Sequence, residues 1–161
     1  MPAEIVIRRE RPDQPEVRAL LAALDGYLAS LYPPEANHIL DVDALLAPEV
    51  RFFVAREAGD GGRAVGTGAV LVRAGEPATA GTPYGEVKSM MVDPAKRGRG
   101  VGERLLRALE DTLRDSGIAL ALLETGRDQA EAVRLYERCG YRRHTAFGGY
   151  PDNGLSAFYG K

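Results

Sequence analysis

The sequence predicts an α/β domain built on a mixed sheet, and three observations carry that prediction. Segments with period-2 alternation are interleaved with amphipathic segments of period 3.6 along the whole chain. Two of the strands are joined across "GDGG" (59–62), a strong hairpin signal. A strand–helix–strand unit over 86–125 requires a crossover, so at least one pair of strands is parallel.

The elements follow in order. "AEIVIRRE" (3–10) alternates Ile5 and Ile7 with polar neighbours and reads as a strand. "PEVRALLAALDGYLASLY" (15–32) sets Val17, Leu20, Leu21, Leu24, Leu28 and Leu31 at helical spacing, with Pro15 and Glu16 suited to a first turn. Residues 33–49 begin as irregular chain, with a short helix after Asp41, a plausible N-cap. Strands are predicted over 51–58, 63–75 and 86–93, the last ended by Pro94. Residues 101–116 form a helix with Val101, Leu105, Leu109 and Leu113 on one face. "IALALLET" (118–125) is the apolar run of a strand buried on both faces. A helix over 128–140, capped by Asp128 and closed by Gly140, precedes two strands in "YRRHTAFGG" and "SAFYGK" around the turn "YPDNG".

No repeat, linker or low-complexity tract divides the 161 residues, so 1–161 reads as a single domain. The formal net charge of −2 argues against a general nucleic-acid binder. No apolar run approaches the roughly 20 residues that span a bilayer. Charges interrupt the first residues before any signal-peptide core forms. The single Cys139 cannot form an internal bridge, which suits a reducing compartment. The expectation is a cytoplasmic protein with no membrane or nucleic-acid partner.

The stretch "DPAKRGRGVGERLL" (93–106) places a basic glycine loop between a strand and a helix. Helix N-termini carry uncommitted N–H groups and partial positive charge, and glycines let a backbone approach an anion closely. Gly98, Gly100 and Gly102 supply that access, and Lys96, Arg97 and Arg99 supply charge, so a pyrophosphate fits; a tight turn with close helix packing is the alternative. The Walker pattern is absent because no Gly-Lys-Ser/Thr occurs, and the spacing of the glycines does not make G-x-G-x-x-G.

Arg97-Gly98-Arg99-Gly100-Val101-Gly102 fits R/Q-x-x-G-x-G/A, and "QAEAVRLYERCGY" (129–141) fits N-x-x-A-x-x-L-Y-x-x-x-G-F with Gln129 in place of Asn. Both motifs, in this order, resemble the GNAT N-acetyltransferases. The resemblance implies a mostly antiparallel sheet of about seven strands with about four helices, two central strands splaying to hold acetyl-CoA. It implies no metal, and often a homodimer. Met91, Val92, Arg97, Gly98, Arg99, Gly100, Val101, Gly102, Gln129 and Tyr136 would then bind the cofactor. A backbone N–H near Met91 would stabilise the thioester oxygen, and Tyr136 would act as the acid for the departing thiolate.

Glu86 and Glu124 are the candidate bases; for Glu86 the alternative is a solvent-exposed edge carboxylate. Tyr32, Glu35, Asn37 and His38, in a proline-stiffened loop, are the candidate acceptor-binding residues, and Tyr150, Asp152 and Asn153 come next. Glu35, Glu86 and Glu124 suit a cationic amine; Arg56, Arg73 and Arg142 suit an anionic acceptor such as an amino acid. Cys139 reads as packing. The implied activity is transfer of acetyl from acetyl-CoA to a small-molecule or peptide amine; the alternative is an acyl-CoA-binding module with little catalysis.

Overall fold

The computed structural model describes residues 4–33, 41–59 and 62–161. These contain β1 (Ile5–Arg9), α1 (Pro15–Leu31), α2 (Val42–Leu45), β2 (Val50–Glu57), β3 (Ala64–Arg73), β4 (Tyr84–Val92), α3 (Val101–Asp115), β5 (Leu120–Gly126), α4 (Ala130–Arg138), β6 (Arg142–Arg143) and β7 (Ser156–Gly160), with 3₁₀ turns at Pro77–Thr79 and Pro94–Lys96. The strands form one sheet in the order β1-β2-β3-β4-β5-β7-β6. Among the described residues only the β4–β5 pair is parallel, as the crossover through α3 demands.

Side-chain alternation divides the core between the two faces. Phe53, Ala55, Val70 and Val87 meet Leu105, Leu106, Leu109 and Leu113 of α3 on one face. Phe52, Val54 and Ala69 meet Val17 and Leu21 of α1 and Leu45 of α2 on the other. Asp41 caps α2 as its sequence position suggests, its side chain accepting from the Ala44 N–H.

Several expected boundaries move, each for a local reason. Helix α3 ends through Gly117 (φ 77°), with Gly117 N–H donating to Arg114 O and Ile118 N–H to Leu113 O, so Ile118 belongs to the helix terminus and β5 begins at Leu120. The N-cap of α4 is Gln129 rather than Asp128, because Gln129 N–H turns back to Gly126 O at the strand end. The strand expected over "YRRHTAFGG" shrinks to Arg142–Arg143. Beyond it Gly148 (φ 65°) and Gly149 (φ 77°) bend the chain, and Phe147 packs with Tyr84, Leu122 and Phe158.

Two close approaches fix the sheet's centre. A Cβ on Gly85 would lie 2.4 Å from Leu113 Cδ2 and 2.7 Å from Val70 Cγ2, so glycine lets α3 sit directly on β4. After α1 the chain turns at Tyr32, whose ring is 8% exposed and crosses to the end of β5. There a Cβ on Gly126 would lie 1.9 Å from the Tyr32 hydroxyl.

Both contacts are testable by denaturant unfolding. Gly85→Ala is expected to lower stability by about 1–3 kcal/mol, the usual cost of overpacking a filled core. Gly126→Ala is expected to cost a similar amount, and markedly less in a Tyr32→Leu background, because neighbours that collide are energetically coupled; equal costs in both backgrounds would show the two residues are independent.

Candidate active site

The β4–β5 ladder consists of Tyr84↔Leu120, Gly85↔Ala121 and Glu86↔Leu122, and then stops. Beyond it β4 remains paired with β3, through a register shift between Thr67 and Ala69, and β5 remains paired with β7. Ser89 lies at φ 56° in this irregularity, and the Thr67 hydroxyl donates to its carbonyl at 2.8 Å. A non-glycine residue held at positive φ stores strain that the surroundings must stabilise. Beside this bulge β4 and β5 run on without pairing to each other, which leaves a gap between them. Asp93 N–H donates to Val65 O on β3, so alternation along the strand turns the Val92 main chain to the gap side.

At the end of the gap lies the glycine loop. The Asp93 side chain accepts from Ala95 N–H at 3.0 Å and starts the 3₁₀ turn. Gly98 (φ 81°) and Gly100 (φ 76°) take the left-handed conformation, and Gly100 is the N-cap of α3 with no side-chain cap. The first-turn N–H groups of α3 therefore open towards the loop, ready for an anion.

The loop's side chains divide. Arg97 Nε donates to Val92 O at 3.2 Å, and its Nη1 lies 3.7 Å from Glu131; Arg99 is exposed. Lys96 departs from expectation: its Nζ pairs with buried Glu57 at 2.8 Å and is tied to the end of β2. Gly102 also differs from its sister glycines, since a Cβ there would lie 2.9 Å from Leu135 Cδ2, so it admits α4 against α3. Val101 and Met91 have buried side chains, leaving the backbone as their point of contact with any ligand.

Tyr136, on α4, is 7% exposed and stacks edge-on with Tyr141 at 6.0 Å. Burial, and secondarily the charge of Glu124, push its phenol well above the ordinary tyrosine value, so it stays protonated at neutral pH. Gln129 caps α4 without a side-chain cap bond. Glu124, two residues beyond the last β4–β5 pair, accepts from the Ser156 hydroxyl at 2.6 Å.

Glu86 is not an exposed edge carboxylate; its side chain is 0% exposed. Arg73 Nε reaches its Oε1 at 2.8 Å, the Tyr150 hydroxyl bonds its Oε2, and Lys88 Nζ lies 3.5 Å from the same oxygen. Lys88 also donates to the Tyr150 hydroxyl at 2.6 Å and lies 5.2 Å over its ring. Burial and the Glu86 charge raise the Tyr150 phenol above its usual value.

Of the three arginines considered for an anionic acceptor, only Arg73 reaches this cluster. Arg56 is bound to Glu10 and Glu16 at the β1–α1 edge, and Arg142 is exposed on β6. The Tyr32 hydroxyl is buried beside Gly126, close to the Asp128 backbone and the Gln129 side chain, and among the described residues it makes no hydrogen bond of good geometry. Glu35, Asn37 and His38 lie outside the described residues. Asp152 and Asn153 are exposed, the Asn153 side chain accepting from Leu155 N–H. Cys139 is half-buried behind α4, and burial raises its thiol. Lys88 and Ser156 escaped sequence reasoning. Lys88 shares a face with Glu86 at strand period 2, a usable signal; Ser156 carries none.

Residues 16–141 match the model of the acetyltransferase (GNAT) family. An IAA acetyltransferase of Azospirillum brasilense is 43% identical over 157 residues, covering 98% of this chain and 97% of its own. A solved structure from Klebsiella pneumoniae, provisionally described as an acyl-CoA N-acyltransferase, superposes with TM-score 0.77 at 34% identity, covering 98% of this chain and 96% of its own. A structure of an IAA acetyltransferase from Bacillus cereus shares the fold with TM-score 0.64 at 21% identity, each chain 98% covered. A splayed parallel pair, a glycine-capped helix at its end and a family match across most of the chain converge: this protein is a member of the acetyltransferase (GNAT) family.

Proposed function

We propose that the chain moves an acetyl group from acetyl-CoA to a primary amine of a small molecule or peptide. The observation that carries this reading is the opening of β4 from β5 after Glu86↔Leu122, directly ahead of the uncapped N-terminus of α3. The left-handed Gly98 and Gly100 leave room for a pyrophosphate on the α3 N–H groups, and Arg97 and Arg99 supply charge beside it. The gap takes the pantetheine arm, with the Val92 main chain as the hydrogen-bonding edge and an adjacent strand N–H near Met91 for the thioester oxygen.

When bound, acetyl-CoA supplies an electrophilic carbonyl: the amine nitrogen forms a bond to it, the C–S bond breaks and the electron pair leaves on sulfur. The chain's residues handle the protons. An alkylammonium has no lone pair, so the acceptor must first lose one proton to solvent. Glu124, in the open part of the gap, takes the second proton as the amide forms. Tyr136 gives its phenol proton to the sulfur and is restored by the proton held on Glu124. Glu86 is less suited to act as the base, since Arg73, Tyr150 and Lys88 occupy both its oxygens; it positions Tyr150 and Lys88 instead. Tyr32 borders the acceptor side beside Gly126, and Gln129 the donor side at the start of α4.

Thiol release from acetyl-CoA across a panel of amines tests the reading. Tyr136→Phe is expected to lower kcat by about 10²-fold, the scale of losing a general acid, with the acetyl-CoA KM changed little. No turnover on any amine, with coenzyme A still bound in calorimetry, would favour a binding module. Gly100→Glu is expected to abolish coenzyme A binding, because it sets a carboxylate in the anion site and strains a φ of 76°; unchanged affinity would place the pyrophosphate elsewhere.

A further inference from the structure

Glu124, two residues past the last β4–β5 pair, stands where those strands have parted, and a neighbouring strand holds its carboxylate. The Ser156 hydroxyl donates to its Oε2 at 2.6 Å. Ser156 belongs to β7, where it lies opposite Gly126, while Glu124 lies opposite Phe158. Side chains two residues apart on a strand share a face, so Ser156 meets Glu124 on the diagonal of the ladder.

The donor is rigidly placed. Ser156 is 6% exposed. The residue before it is fixed twice, Leu155 O accepting from Arg127 N–H at 3.0 Å and Leu155 N–H donating to Asn153 Oδ1 at 3.1 Å. Opposite Ser156, Gly126 has no side chain, and the Tyr32 hydroxyl lies 1.9 Å from where its Cβ would be. The face of β5 just beyond Glu124 is therefore filled.

A glutamate side chain has several rotatable bonds, and one that is not held spreads over many rotamers. A base is effective only when its oxygen stays within hydrogen-bond reach of the proton it takes. Ser156 is suited to supply that constraint because its hydroxyl is neutral. A cation in its place would compete with the acceptor's ammonium for the carboxylate, whereas one O–H occupies a single lone-pair site out of about four. We propose that Ser156 is a positioning residue for the acetyl transfer, holding Glu124 in the orientation that receives the amine proton. The charge of Glu124 also acts on the Tyr136 phenol, so one hydroxyl sets a carboxylate that serves both the amine and the acid. The proposal rests on the acetyltransferase reading and on Glu124 as its base.

A double-substitution cycle tests it, read by thiol release from acetyl-CoA with the fastest acceptor among leucine, phenethylamine, cadaverine and glucosamine. Ser156→Ala is expected to lower kcat at least about tenfold, the scale of a hydrogen bond to a charged group, with the acetyl-CoA KM little changed. In a Glu124→Gln background the same substitution is expected to change kcat less than about twofold, since its effect passes through the carboxylate. Equal losses in both backgrounds, or no loss in the wild type, overturn the proposal. Wild-type kcat in Glu124→Gln overturns Glu124 as the base, and Ser156 as its holder, while leaving an acetyltransferase in place. No turnover of any of these acceptors by the wild-type protein, with acetyl-CoA bound in calorimetry, overturns the acetyltransferase reading and this one with it.

A second pair of variants separates the hydroxyl from the packing around it. Threonine and valine have nearly the same shape, and only threonine carries a hydroxyl. Ser156→Thr is expected to keep at least about tenfold more kcat than Ser156→Val, with both folded by circular dichroism. Equal kcat in the two overturns the proposal, since packing alone would then account for the effect of Ser156.

Discussion

The site depends on a ladder that stops. Three parallel pairs hold β4 to β5, and past Glu86↔Leu122 each strand is held only by its other neighbour. This leaves two facing strand edges with backbone groups to satisfy, a costly arrangement within a packed sheet unless another chain-like group can fill it. The strained Ser89, its carbonyl held by the Thr67 hydroxyl, lies on β4 where the two strands have parted. The positions of the candidate groups on β4, on β5 and at the start of α3 follow from where the ladder ends. Glu86 falls in its closed part, Lys88 and Glu124 at its mouth, and the α3 N-terminus beyond its far end.

A second constraint lies in two buried or bonded carboxylates that fasten the chain between β6 and β7 onto the sheet. Glu86 takes the Tyr150 hydroxyl, and Glu76 accepts both the Tyr84 hydroxyl at 2.8 Å and the Gly148 N–H at 2.9 Å. Edge-on contacts of Phe147 with Tyr84, Tyr150 and Phe158 complete the attachment. A buried carboxylate is expensive to desolvate, and its pairing with Arg73 offsets that cost without making it a source of net stability. Its value lies in specificity of arrangement: it fixes the Tyr150 ring and the Lys88 ammonium beside the gap.

Much of the fold was legible because local patterns and global packing agree. The α3 stripe of Leu105, Leu109 and Leu113 reads as helix at sight and is the element that buries the sheet. The glycine loop was legible as a turn into α3, whereas the packing of Gly102 against Leu135 and the pairing of Lys96 with Glu57 were not. The discrepancy has a physical cause: a helical glycine and a basic side chain look alike in sequence whether they face a ligand or a neighbour, and Leu135 and Glu57 are distant in the chain. The irregular end of "YRRHTAFGG" was equally hidden, since its aromatic residues favour a strand until the cluster around Tyr84 captures Phe147.

The sequence by itself determined the elements, their order and the two motifs, because periodicity, capping and glycine placement act over a few residues. The tertiary structure alone decided which charges meet. Arg56, Arg73 and Arg142 are equivalent in the sequence, and Glu86 and Glu124 nearly so. Strand register and the end of the parallel ladder separate them, burying Glu86 under Arg73 and leaving Glu124 across from Lys88. Register is a long-range property, fixed by packing between residues far apart in the chain, so these charges could be brought together only once the sheet had formed.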